Sequence, residues 1–89
     1  MKHLDIKIYG QVQGVSFRYY AKEQALTLGL TGLARNEVDG SLYIAVEGEE
    51  NALDKFLDWC RKGPALAQVE KAEIKEGKIK EYKGFSIKY

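Results

Sequence analysis

The sequence predicts an α+β protein, an α/β sandwich with two helices on one face of a mainly antiparallel sheet. Three observations predict it. Polar and apolar residues alternate at period two in several short stretches, and apolar residues recur at helical spacing in two others. The two kinds of stretch interleave along the chain, and 89 residues suffice for a single domain, residues 1–89, and no more.

Leu4, Ile6 and Ile8 alternate with His3, Asp5, Lys7 and Tyr9, the pattern of a strand with one buried face. After a glycine-bearing loop, Phe17, Tyr20, Ala21, Ala25 and Leu28 recur at helical spacing, so a helix is expected from about Phe17 to Leu28. By this spacing Tyr20 faces the core, Ser16 caps the start and Gly29 ends the helix. Leu30 to Asn36 is short and apolar-rich, Glu37-Val38-Asp39-Gly40 supplies a turn, and Leu42, Ile44 and Val46 alternate again, which reads as a hairpin. Leu53, Phe56, Leu57 and Cys60 form the stripe of a second helix, with Asn51 placed to cap it, Arg61 and Lys62 in its last turn and Gly63-Pro64 to stop it. In Val69 to Lys75 the positions of Val69, Ala72 and Ile74 break alternation and suggest a bulge. A turn around Gly77 and a last strand with Phe85, Ile87 and Tyr89 complete the chain. The order is βαββαβ with an extra short strand, which short connections fold most simply into the ferredoxin-like arrangement.

Hydrophobic residues make up 45% of the chain and charged residues 30%, with a net charge of +1. That balance excludes disorder and provides no long-range field to draw in a nucleic-acid backbone. No apolar run approaches a membrane span, and Met1 to Asp5 lacks the features of a secretory signal, so the cytoplasm is the expected location and no membrane partner is expected. The lone cysteine, Cys60, rules out an internal disulfide and a thiolate zinc site, which fits a reducing compartment.

Gly10-Gln11-Val12-Gln13-Gly14-Val15-Ser16-Phe17-Arg18 leaves a strand and enters a helix, where backbone N–H groups lack intrahelical partners. Such amides can serve an anion. Gly14 permits a tight curl, the helix dipole adds positive potential, and Arg18 brings a planar fork that matches two phosphate oxygens. The same spacing also suits a plain strand–helix junction with a solvated arginine, and Asn36, at the end of the next strand, suits a plain turn.

Taken together, these clusters carry a resemblance. Gly10 to Arg18, Leu28-Gly29-Leu30-Thr31-Gly32, Asn36-Glu37-Val38-Asp39-Gly40, Glu47-Gly48 and Gly63-Pro64 stand in the order and spacing of the acylphosphatase family, followed by Ala67-Gln68-Val69 and Phe85-Ser86-Ile87. The resemblance covers nearly the whole chain. It implies hydrolysis of carboxyl-phosphate anhydrides to a carboxylate and inorganic phosphate, with water as nucleophile and neither metal nor cofactor. It further implies a phosphate cradle of Gln13, Gly14, Val15, Ser16, Phe17 and Arg18, with Arg18 pairing with the phosphate oxygens and Asn36 orienting the water. The implied partners are a small acyl phosphate and, as product and competitive ligand, inorganic phosphate, met by a monomer. The sequence departs from the family in Glu37, where threonine is frequent, which sets a carboxylate near an anionic substrate unless it points outward. Ala34 replaces a bulkier aliphatic residue and bears on packing.

Other residues read as structure. Cys60 lies on the apolar stripe directly before Arg61, without the loop of a cysteine phosphatase, and fills the core. His3 has no metal-binding companions and reads as a surface strand residue. Lys71 to Lys83, interspersed with glutamates, reads as a solvated edge strand. Two other function classes stay in play: a ferredoxin-like RNA-binding module, for which only Tyr9 and Tyr43 could stack bases, and a non-catalytic module binding phosphate or carbamoyl phosphate. The latter resembles the acylphosphatase-like domain of large carbamoyl-transfer proteins, although the start at Met1 and the extra strand favour a free-standing protein.

Overall fold

In the computed structural model, which describes residues 1–89, the strands are β1 (Lys2–Gln11), β2 (Thr31–Asn36), β3 (Leu42–Gly48), β4 (Gln68–Gly77) and β5 (Phe85–Lys88). They form one sheet in the order β4-β1-β3-β2-β5. Helix α1 (Phe17–Thr27) links β1 to β2, and α2 (Glu50–Lys62) links β3 to β4. Every strand pair is antiparallel except β2 with β5. The expected βαββαβ order and the extra short strand are both present, with β5 on one edge.

The period-two pattern decides which face is covered. Ile6, Ile8, Ala34, Ile44 and Val46 point to one side and are fully buried. Against them lie Phe17, Ala21 and Ala25 of α1 and Leu53, Phe56 and Cys60 of α2, each set recurring every three or four residues. Burying one such large apolar side chain contributes about 1.5–3 kcal/mol. Cys60 is part of this core, and removal from water pushes its thiol pKa well up.

One end of the opposite face is covered as well, which sequence reasoning missed. After β4, residues 78–84 run back over the sheet, and the amides of Lys80 (2.5 Å) and Tyr82 (3.3 Å) donate to the Glu47 carboxylate. Beneath them His3 is 1% exposed, not a surface residue, with Nδ1 2.7 Å from Glu47 Oε2 and Nε2 2.9 Å from Asp5 Oδ1. The Tyr82 ring stacks over it at 6.0 Å. The partners lie 44 residues apart, so no local pattern marks this burial.

Three further expectations are corrected. Helix α2 begins at Glu50, so Asn51 lies in its first turn rather than capping it, and Glu49 occupies the cap position. Tyr20 is 46% exposed, because Phe17, Ala21 and Ala25 alone define the buried stripe of α1. Gly77 is the last residue of β4, and the longer run 78–84, rather than a turn around Gly77, leads to β5. The bulge is present: Tyr9 pairs with Lys71 and Gly10 with Val69, leaving Glu70 without a partner. Lys71 to Gly77 is an exposed edge strand, as its charges suggested, whereas Lys78 to Lys83, expected to belong to the same strand, lies outside any strand.

Candidate active site

Strands β1, β2 and β5 run in one direction, since β1 and β2 are both antiparallel to β3 and β5 is parallel to β2. Their carboxyl ends therefore meet at one end of the sheet, together with the head of α1. A cleft of about 340 Å³ opens there, with Gly14, Ser16, Phe17, Arg18 and Asn36 in its wall.

The glycine at the bulge delivers the chain to this cleft. At Gly10 φ is +128°, and a Cβ would stand 2.1 Å from the Gln68 carbonyl oxygen, so no larger residue allows β1 to leave the sheet here. Beyond it, φ is positive at Gly14 (+74°) and Ser16 (+60°) but not at the intervening Val15. Alternation of hand of this kind is the backbone pattern from which anion-binding nests are built. No amide from Val12 to Ser16 donates to a backbone carbonyl, and the helical bonding begins with Tyr20 N to Ser16 O at 3.1 Å. The amides of Phe17, Arg18 and Tyr19 are thus in the unpaired first turn. Ser16 occupies the cap position in the left-handed region, and its hydroxyl caps nothing, contrary to expectation. Holding a serine in that conformation costs about 1–2 kcal/mol, strain of the kind found at ligand sites.

Arg18 is held from the far side. Its Nη1 donates to the Lys88 carbonyl at 2.7 Å, and the guanidinium lies 4.7 Å from the Tyr89 ring centroid. Both partners are uncharged, so the positive charge is oriented without being neutralised, and further N–H groups of the fork are left for a ligand.

Asn36 enters the cleft from the last position of β2, opposite Leu42. The turn beyond it is tightly held. Asp39 Oδ1 accepts hydrogen bonds from the Ser41 hydroxyl (2.5 Å) and amide (3.0 Å), and Asp39 pairs with Lys7 at 3.1 Å. Those hydroxyl and amide bonds, aided by Lys7, hold the Asp39 carboxyl down to about 2. Glu37 turns to the opposite face, where its carboxylate meets Arg35 Nε at 3.2 Å while Arg35 lies over the Tyr43 ring. It is absent from the cleft wall, so repulsion of a bound anion by Glu37 is not built into the site.

The expected cradle is one of main-chain amides, and two of its residues turn their side chains elsewhere. The side chain of Val15 packs against the core and lines a neighbouring hollow. The side chain of Gln13 is turned away, and its Nε2 donates to the carbonyls of Glu37 (2.8 Å) and Ser41 (2.9 Å). Gln13 therefore ties the loop to the hairpin that carries Asn36. Sequence reasoning missed this tie, along with Tyr19, Ile87 and Tyr89 in the cleft wall. Only long-range pairing reveals them. No group of three or more His, Cys, Asp or Glu side chains is arranged to hold a metal ion.

The arrangement suits a tetrahedral anion, with amides and a guanidinium around it and a carboxamide beside it. The sequence matches the acylphosphatase family model over residues 4–87. An acylphosphatase of Thermotoga maritima is 45% identical over 89 residues, covering 100% of this chain and 99% of that one. The crystal structure of acylphosphatase from Bacillus subtilis superposes with a TM-score of 0.96 at 34% identity, covering 100% of both chains. The structure of T. kodakarensis HypF matches with a TM-score of 0.87 at 31% identity, over 100% of this chain and 12% of that one.

Proposed function

The chain belongs to the acylphosphatase family and hydrolyses acyl phosphates to a carboxylate and inorganic phosphate, and we propose that it does so with a backbone cradle, one arginine and one asparagine. In this reading the amides of Gln13 to Arg18 surround the phosphoryl oxygens, the Arg18 fork pairs with two of them, and Asn36 orients the attacking water. The observation that carries it is the reversal of backbone hand at Gly14 and Ser16, which leaves a run of unpaired amides in the wall that Arg18 and Asn36 share.

The chemistry asks for little more. Water adds to phosphorus as the bond to the bridging oxygen breaks, and the carboxylate departs as an anion, so no general acid is required. The proton of the water passes to the phosphoryl oxygens, giving one carboxylate and one dihydrogen phosphate. Charge spreads over the equatorial oxygens in the transition state, where amides and a guanidinium already fixed in place stabilise it without reorganising. Asn36 supplies an acceptor for a water proton and donors for its oxygen.

A single-domain monomer in the cytoplasm, working on a small molecule without a nucleic-acid partner, completes the proposal. The net charge of +1 provides no long-range field toward a nucleic-acid backbone, and no helix is long and apolar enough to cross a membrane. Residues 78–84 occupy one end of the face on which an RNA-binding module of this topology stacks bases, and Tyr43 is bonded to Asp5. The HypF likeness leaves a non-catalytic phosphate module as the second reading.

Benzoyl phosphate hydrolysis separates the two. Wild type should release phosphate steadily, Arg18→Gln should lose turnover together with inhibition by inorganic phosphate, and Asn36→Ala should lose turnover while phosphate inhibits as before. Phosphate inhibition unchanged in Arg18→Gln would sink the cradle, and full turnover in Asn36→Ala would remove Asn36 from the mechanism.

A further inference from the structure

Beside the cleft, a second hollow of about 440 Å³ lies between the head of α1 and the 64–66 turn after α2. Ser16 lines both, so the two adjoin. The walls of the second are Val15, Tyr20, Trp59, Pro64 and Leu66, with the Glu23 side chain among the lining groups. Tyr20 is 46% and Leu66 77% exposed, apolar surface that the core does not use and that the two residues hold around one depression. The floor is firm, because Trp59 packs edge-on against Phe17 at 5.3 Å and beside Phe56 at 6.1 Å.

We propose that this hollow is the acyl subsite, which seats the organic part of the substrate and favours uncharged aromatic or bulky aliphatic acyl groups over those bearing a second carboxylate. The inference rests on the phosphate assignment above and extends it. An acyl phosphate places only a bridging oxygen and a carbonyl carbon between phosphorus and its organic group, so that group must lie in space adjoining the cradle. In-line displacement further requires the leaving group to depart opposite the attacking water. Asn36 lines the first hollow and not the second, so an organic group seated in the second lies clear of the water that Asn36 orients. Apolar walls reward an apolar occupant with the water they release. Glu23, in the same wall, repels an anionic one.

The test compares kcat/KM for benzoyl, acetyl and succinyl phosphate in wild type, in Tyr20→Ala/Leu66→Ala and in Glu23→Gln, with inhibition by inorganic phosphate measured alongside. Wild type should favour benzoyl over acetyl phosphate. The double variant should lower the benzoyl value about tenfold and the acetyl value less than twofold, the scale of discrimination an apolar pocket provides. Glu23→Gln should raise the succinyl value several-fold and leave the other two unchanged. All three sites are partly or wholly exposed, and an unchanged urea midpoint checks that folding is intact. Equal losses on benzoyl and acetyl phosphate, with phosphate inhibition preserved, would overturn the subsite alone. So would an unaltered substrate ratio accompanied by a change in sedimentation, which would make the hollow a contact between copies of the chain. Failure of wild type both to turn over any acyl phosphate and to bind inorganic phosphate would overturn the cradle and the subsite with it.

Discussion

Removing the Gln13 tether tests whether the phosphate loop and the asparagine hairpin work as one unit. In Gln13→Leu the side chain keeps roughly its volume but loses both donations, to Glu37 O at 2.8 Å and Ser41 O at 2.9 Å. Neither carbonyl is left bare, since Glu37 O also accepts from Gly40 N and Ser41 O from Glu37 N. The stability cost is then that of two ordinary hydrogen bonds, about 1–3 kcal/mol in all. Catalysis should suffer more than stability suggests. The phosphate amides stay on the loop while Asn36 is freed to drift relative to them, and a displacement on the order of 1 Å costs about a hundredfold in rate. Benzoyl phosphate kinetics should therefore show kcat falling about 10- to 100-fold, with inhibition by inorganic phosphate changed less than threefold. Because Gln13 acts through Asn36, its loss should cost little in an Asn36→Ala background, so the double-mutant cycle should show strong non-additivity. Phosphate affinity falling in step with kcat, or fully additive losses, would refute the tether and return Gln13 to the cradle alone.

Two other perturbations address the frame around the site. In Gly10→Ala the new methyl meets backbone atoms of Gln68 and Glu70 that cannot rotate aside, so urea unfolding should show a loss of roughly 3 kcal/mol or more; a loss under about 1 kcal/mol would mean that the bulge relaxes freely. The Glu47 carboxyl is buried, which alone would raise its pKa, yet the Lys80 amide, His3 and the Tyr82 amide lower it, and Asp5 is lowered against its own desolvation by Tyr43 and His3. A depressed folded value contributes stability that is complete above the unfolded carboxylate pKa, about 4, and drains as pH falls through the folded value. The urea midpoint of wild type should therefore hold from pH 7 to 5 and decline below about 4. Glu47→Gln should be weaker at neutrality and show a shallower acid decline, and parallel profiles for the two proteins would show that Glu47 carries none of that dependence.

What was legible in the sequence was whatever leaves a local period. The Leu4–Ile6–Ile8 and Leu42–Ile44–Val46 alternations mark the covered face, the missed beat between Val69 and Ala72 marks the bulge, and the glycines around Gln13 mark a loop that must curl. Residues whose state depends on distant chain were not legible. His3 alternates as a solvent-facing residue does, and only the return of residues 78–84 across the sheet buries it against Glu47. Tyr20 fits a helical stripe, but Phe17, Ala21 and Ala25 form the face of α1 that meets the core, and the ring stays half exposed beside the second hollow. At the site, the motif singled out Arg18 and Asn36, while the carbonyl that orients Arg18 lies 70 residues away and the carbonyls that anchor Gln13 lie 24 and 28 away. A serine before a helix suggests a cap; that Ser16 instead takes a left-handed turn depends on the loop around it.

The main-chain character of the cradle also bears on durability. An amide N–H is contributed by whichever residue occupies a position, so most side chains along Val12 to Phe17 could drift over generations without removing a single donor. Nor does the wall of the cleft offer a thiol or an imidazole for oxidants or alkylating agents to consume, and the one sulfhydryl of the chain is sealed inside the core. Apart from the side chains of Arg18, Asn36 and Gln13, damage to such a catalyst has to come through the shape of its backbone.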